Sequence, residues 1–174
     1  KKTFQKIFEK FDVKDDPVPD ARKALDIAEE NIQSSPVKPI PGVVQLIRTL
    51  HKQNIKLAVA SGSSLEIIEY IVTSLEIKEN FSVLTSSDEV KKGKPAPDVF
   101  LLAAERLGVN PQECVVIEDG IAGTIGAKEA GMKTVALCTR GNCNLYPADL
   151  VVNKLEDVNP EKMASLWDSS CYEK

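Results

Sequence analysis

Apolar positions along this chain follow two rhythms, and the change from one to the other divides it. Phe4, Ile7, Phe8 and Phe11 recur at i, i+3, i+4 and i+7, which predicts an amphipathic helix. Asp12 to Pro19 is polar and proline-bearing and reads as a loop, after which Ala21, Leu25, Ala28 and Ile32 share one face of a second helix. The run from Ser34 to Gly42 then carries three prolines, Pro36, Pro39 and Pro41. Proline removes an amide donor and clashes with the preceding helical turn, so this run marks a linker.

From Gly42 onward, helical stripes alternate with short apolar runs. Val43, Leu46, Ile47 and Leu50 form a helical face, and Lys56 to Ala60 reads as a strand. A Ser61-Gly62-Ser63-Ser64 turn leads to a helix bearing Ile68, Ile71, Val72 and Leu75, with Ser63 and Glu66 at capping-box spacing. A short strand around Ser82 to Thr85 precedes a helix bearing Phe100, Ala103, Ala104 and Leu107, which stops at Gly108. The strand Cys114 to Ile117 is followed by a small-residue helix, Ala122 to Ala130, ending at Gly131. Thr134 to Leu137 and Leu150 to Val152 read as two further strands. Helices and strands alternating at these lengths imply right-handed βαβ units, and so an α/β fold with a mostly parallel sheet.

Composition narrows the partners. The 174 residues carry a formal charge of −4 and no basic block, which disfavours a nucleic-acid surface. No apolar stretch approaches a membrane span. The four cysteines, Cys114, Cys138, Cys143 and Cys171, form no C-x-x-C pair. Cys114 and Cys138 fall in strand-like runs and are expected to be buried thiols, so a reduced, cytoplasmic setting is expected and zinc is not. His51 lies late in a helix beside Lys52 and is expected at the surface.

Three strand ends carry the candidate chemistry. Val115-Val116-Ile117 stops abruptly at Glu118-Asp119-Gly120. In open α/β sheets ligands bind where strands exit, and paired carboxylates there suit a hard cation such as Mg²⁺ beside a substrate phosphate. The same residues could equally form an Asx-type turn capping the next helix. Ser61, Gly62 and Ser63 place a hydroxyl and backbone amides at a helix N-terminus, an anion-binding arrangement that simple N-capping also explains. Lys94, fixed between Gly93 and Pro95 just before a helix, can act as a point charge on a phosphate, while Asp98 reads as a cap or first-turn acid. A hydroxyl, a fixed lysine and a carboxylate pair, each just after a strand, would together face one crevice.

These residues resemble the motifs of the haloacid dehalogenase superfamily, in the subgroup with a small helical cap that includes β-phosphoglucomutase and many sugar-phosphate phosphatases. The matching positions are Pro41-Gly42-Val43, Ser61, the run from Gly93 to Phe100, and Glu118-Asp119-Gly120 with Gly123, Ala127, Ala130, Gly131 and Met132 behind it. The resemblance implies a Rossmann-like three-layer core over residues 42–166 and part of a cap over residues 1–35. Residues 36–41 would be the linker and residues 167–174 a tail. It further implies that Ser61, Gly62, Ser63 and Lys94 bind the phosphoryl group of a small phosphorylated metabolite, with Ser61 and Lys94 catalytic. Asp119 would bind Mg²⁺, with Glu118 as a second ligand or its supporting partner.

The superfamily's first motif, an Asp-x-Asp-Gly sequence after an N-terminal strand, has no counterpart: no Asp-x-Asp occurs in the chain. The resemblance makes the first of those aspartates the nucleophile and the second the general acid and base. The sequence is therefore expected to be part of a longer enzyme, with a break in its sheet where the first strand belongs. The expected function is a Mg²⁺-dependent phosphatase of sugar phosphates or nucleotide-like metabolites in that parent. A phosphomutase, or a non-catalytic binding protein, are the alternatives.

Overall fold

Among the described residues five short strands form a middle layer, and every pairing among them is parallel. The computed structural model describes residues 37–139 and 143–167; the two helices expected before the linker, and the tail beyond Trp167, lie outside the described residues. In chain order the elements are α1 (Val43–Lys52), β1 (Ala58–Ser61), α2 (Leu65–Ser74), β2 (Val83–Ser86) and α3 (Asp98–Leu107). There follow β3 (Val115–Glu118), α4 (Ile121–Glu129), β4 (Lys133–Leu137), β5 (Leu150–Val152) and α5 (Pro160–Ala164).

The alternation read from the sequence is present, with small shifts that have a common cause. Strands β1, β2 and β3 each run one residue beyond the apolar stretch, to Ser61, Ser86 and Glu118. The ladder is made of backbone groups, so a polar residue joins it while the register holds: Ser61 lies opposite Ser86, and Glu118 opposite Ala136. Helix α2 is capped by Ser64, whose side chain accepts from the Ile67 amide, and not by Ser63. The Ser63 amide is already taken by the Ser61 hydroxyl oxygen at 3.1 Å. Helices α3 and α4 end as expected at Gly108 and Gly131, whose positive φ values of 63° and 76° favour residues without a Cβ.

Two apolar clusters sandwich the strands. On one face Leu46 and Leu50 of α1 pack with Val135, Leu137, Val152, Met163 and Leu166. On the other, Val99, Phe100 and Ala104 of α3 meet Ala127 and Ala130. Strand β3 divides its side chains between them: Val115 and Ile117 join the first cluster, Cys114 and Val116 the second. That is the period-two alternation of a strand covered on both faces. Helix α3 lies over β1 and β2, and α4 over β3 and β4.

The strand layer is nevertheless in two pieces: among the described residues β1 pairs only with β2, and β3 only with β4, which pairs with β5. Every residue of β1 and β3 is half-buried, whereas four of the five in β4 are fully buried. Strands β1 and β3, each paired on one side only among the described residues, are the two that end at Ser61 and Glu118.

One expectation about the cysteines needs correction. Cys138 is not a free thiol but is bonded to Cys143, and among the described residues Cys114 is the free cysteine. The turn after β4 brings the pair together, and no cysteine spacing announced it. Trp167 is 42% exposed, and its indole N–H donates to the Gln112 carbonyl at 2.9 Å. His51 is exposed, as expected. No helix among the described residues is long and apolar enough to cross a membrane.

Candidate active site

Ser61 ends β1, and three hydroxyl residues in a row pin the turn that follows it. Thr85 Oγ1 donates to the Val59 carbonyl at 2.7 Å, Ser86 Oγ to Ser63 at 2.7 Å, and Ser87 Oγ to Ser61 at 3.0 Å. Thr85 and Ser86 are completely buried. A strand leaving its sheet orphans backbone carbonyls, and these side chains satisfy them. Sequence reasoning missed this role; the run Thr85-Ser86-Ser87 at a strand end was its visible signal. Ser61 Oγ accepts from the Ser63 amide, which leaves its O–H to donate outward. A Cβ at Gly62 would meet nothing within 4 Å, so the turn borders open space.

The short turn Ser87–Glu89 is itself fixed. Glu89 accepts from the Ser86 amide at 2.9 Å and from Arg106 of α3 at 2.8 Å. The Arg106 guanidinium, with the Ser86 amide second, holds the Glu89 carboxyl below its ordinary value.

Lys94 enters from the loop before α3. Its ammonium forms an ion pair with Glu118 Oε1 and lies 4.9 Å from the centre of the Phe100 ring, where the ring face adds a cation–π attraction. The two side chains are only 19% and 12% exposed, so solvent screens this pair less than a surface one. Ser61 connects to this loop through Ser87: a Cβ at Gly93 would lie 3.6 Å from Ser87 Cβ.

Both oxygens of Glu118 are engaged, since Oε2 accepts from the Gly120 amide at 3.1 Å. The carboxylate rests on α4 at Gly123, where any Cβ would fall inside it. One turn along, a Cβ at Gly126 would lie 2.9 Å from the carbonyl oxygens of both Pro95 and Ala96. These two glycines let α4 approach the strand end on one side and the Lys94 loop on the other.

Asp119 differs from its neighbour. It is exposed, and among the described residues its carboxylate makes no hydrogen bond or ion pair; its carbonyl accepts from the Tyr146 hydroxyl at 2.8 Å. Among the described residues no group of three or more His, Cys, Asp or Glu side chains could hold a metal ion. Magnesium is commonly bound by one or two carboxylates plus water and substrate phosphate, and Asp119 suits the part of one such carboxylate. Glu118, saturated by Lys94 and Gly120, suits the part of the partner that orients the turn.

Fold and strand-end chemistry together define a class: a Rossmann-like α/β protein with its polar groups gathered at the carboxyl edge of a parallel sheet. The model of the haloacid dehalogenase-like hydrolase family matches residues 1–137, and the chain belongs to that family. It is 44% identical over 133 residues to the bifunctional riboflavin kinase/FMN phosphatase of Arabidopsis thaliana, covering 75% of this chain and 35% of that protein. It is 38% identical over 120 residues to the fructose-1-phosphate phosphatase of Escherichia coli K12, covering 69% of this chain and 62% of that protein. Among solved structures, the β-phosphoglucomutase of Clostridium difficile superposes with a TM-score of 0.76 at 27% identity, covering 96% of this chain and 76% of the other. The chain thus spans 35% and 62% of the lengths of those two curated relatives.

Proposed function

We propose that this chain supplies the phosphoryl-binding part of a phosphatase acting on a small phosphorylated metabolite. The observation that carries the reading is the Lys94–Glu118 pair set beside a bare Asp119 at one strand end. Ser61 donates its hydroxyl to a phosphoryl oxygen. Lys94, held by Glu118 and Phe100, offers a fixed positive charge to the same group. Gly62 and Ser63 shape the turn around it, although the Ser63 amide must leave Ser61 Oγ before it can serve as a donor. Asp119 would hold Mg²⁺, which when bound neutralises phosphoryl charge.

The attacking carboxylate is not among these residues. The half-buried residues of β1 and β3, each paired on one side only among the described residues, support a further parallel strand between them, bearing the Asp-x-Asp motif, in the longer protein. The 35 N-terminal residues are, in this reading, part of a cap. Flavin mononucleotide and sugar phosphates are the first substrates to test, on the names of the relatives at 44% and 38% identity. A phosphomutase is the second reading, supported by the likeness to β-phosphoglucomutase. A cytoplasmic setting belongs to the same proposal, and the Cys138–Cys143 bridge weighs against it, since such bridges are rare in reducing compartments.

Phosphate release from flavin mononucleotide and a panel of sugar phosphates, with and without Mg²⁺, tests the reading. The 174-residue polypeptide alone is expected to be inactive, and a form extended by an in-frame Asp-x-Asp segment active. Substantial Mg²⁺-dependent turnover by the unextended chain would refute the need for that segment. Inactivity of the extended form on every substrate would refute the phosphatase.

A further inference from the structure

The turn after β4 reaches back to the strand end that carries Asp119. Tyr146 is half-buried, and its hydroxyl donates to the Asp119 carbonyl at 2.8 Å. The Glu118-Asp119-Gly120 turn is otherwise held through Glu118, by Lys94 and by the Gly120 amide, and through the Gly120 carbonyl, which accepts from the Thr124 amide at 3.0 Å and the Thr124 hydroxyl at 2.9 Å. Tyr146 is thus the contact that fixes the backbone of Asp119 itself, leaving the carboxylate free of other duties.

What holds Tyr146 is also visible. It directly follows the single helical turn Cys143–Leu145, and its amide donates to the Cys143 carbonyl at 3.4 Å. Apolar packing does not anchor that turn, since Leu145 is 60% exposed. Its anchor on one side is the Cys143–Cys138 bond, for Cys138 is 2% exposed and donates its amide to Val152 of β5 at 2.8 Å. On the other side Asp149 is bonded to Thr134. The bridge is therefore one of the ties between the Tyr146 turn and the sheet.

We infer that Tyr146 is a positioning residue for the Asp119 carboxylate, and that the Cys138–Cys143 disulfide sets the strength of that positioning. The inference rests on the reading of Asp119 as the metal-binding carboxylate. A dithiol reductant would cleave the bridge, giving one hydrogen to each sulfur while closing to its own cyclic disulfide. The turn would then lose one tie, and Tyr146 would leave the Asp119 carbonyl more often.

Two measurements on the intact protein, using Mn²⁺ as the probe, test this. Binding is read from the loss of the free-ion paramagnetic resonance signal, and the turn from hydrogen exchange of the amides between residues 118 and 124. Tyr146→Phe is expected to weaken Mn²⁺ binding about three- to tenfold, the range one hydrogen bond spans, and to speed exchange of those amides. Cys143→Ser, or reduction, should produce a similar effect in the wild-type protein and little further effect in Tyr146→Phe. Unchanged exchange in Tyr146→Phe would overturn the positioning role, as would faster exchange with unchanged Mn²⁺ affinity. An equal effect of reduction in both backgrounds would overturn the link through Tyr146. Failure of the unsubstituted protein to bind Mn²⁺ would instead overturn the metal reading of Asp119, and exchange would still decide whether Tyr146 and the bridge hold the turn.

Discussion

Gly123→Ala isolates the Lys94–Glu118 pair without touching either partner. Gly123 is the third residue of α4, and a Cβ there would fall inside the Glu118 carboxylate. The obstruction is the end of a flexible side chain, so Glu118 swings away and the helix keeps its place. Two effects then oppose each other. Alanine gains about 1 kcal/mol of helix propensity over glycine. Displacing Glu118 breaks a charge-assisted hydrogen bond to Lys94, a contact worth about 1.5–3 kcal/mol where solvent does not screen it. With both side chains less than one-fifth exposed, the second term wins, and the net loss is about 0.5–2 kcal/mol.

The background decides whether that account is right. In a Glu118→Ala protein there is no carboxylate to displace, so the same Gly123→Ala change should stabilise by about 1 kcal/mol. Urea denaturation of the four proteins, compared at equal m-value, gives the coupling directly. A loss of the same size in both backgrounds would show that the added methyl collides with something other than Glu118, and the proposed packing of the pair on α4 would be wrong.

Gly126→Ala should also cost stability, here because its Cβ meets backbone oxygens of Pro95 and Ala96 that cannot rotate aside. A loss of about 1–3 kcal/mol before the propensity gain is expected, and a raised urea midpoint would contradict it. Lys94→Ala in the extended, active form should remove most of the phosphatase rate, and wild-type turnover would take Lys94 out of the mechanism. Asp149→Asn should lower stability at neutral pH. Burial of Asp149 pushes its carboxyl up, but the Lys128 ammonium and the two Thr134 donors outweigh it, so the folded value lies below the ordinary one. Its contribution is then fully present above the unfolded-state value and fades as pH falls through the folded one. The deficit of the variant should narrow in acid, and a deficit that grew there would reverse the assignment.

The elements that could be read in the sequence were those set by local periodicity. The apolar runs located every described strand to within about two residues, because a strand covered on both faces needs them. Polar ends escaped that rule: Ser61, Ser86 and Glu118 belong to their ladders although nothing apolar marks them. Contacts between distant segments left less trace. Tyr146 meets Asp119 across 27 residues and Trp167 meets Gln112 across 55, and each is a single polar contact with no periodic signature. The Cys138–Cys143 pair was hidden differently, since Cys138 reads as one more apolar residue at the end of β4.

The carboxylate pair shows what adjacency in sequence leaves open. Glu118 and Asp119 are neighbours, and a metal-binding spacing treats them alike. In a strand, successive side chains take opposite faces, so two adjacent acids cannot both point the same way while the ladder continues. Glu118 is still in the ladder and turns toward Lys94 and Gly123; Asp119 is the first residue beyond it and is exposed. The division of labour follows from where β3 ends. A residue inserted before Glu118 that kept the strand's length would move Glu118 to the exposed place beyond the ladder and leave Lys94 facing the inserted residue in its stead.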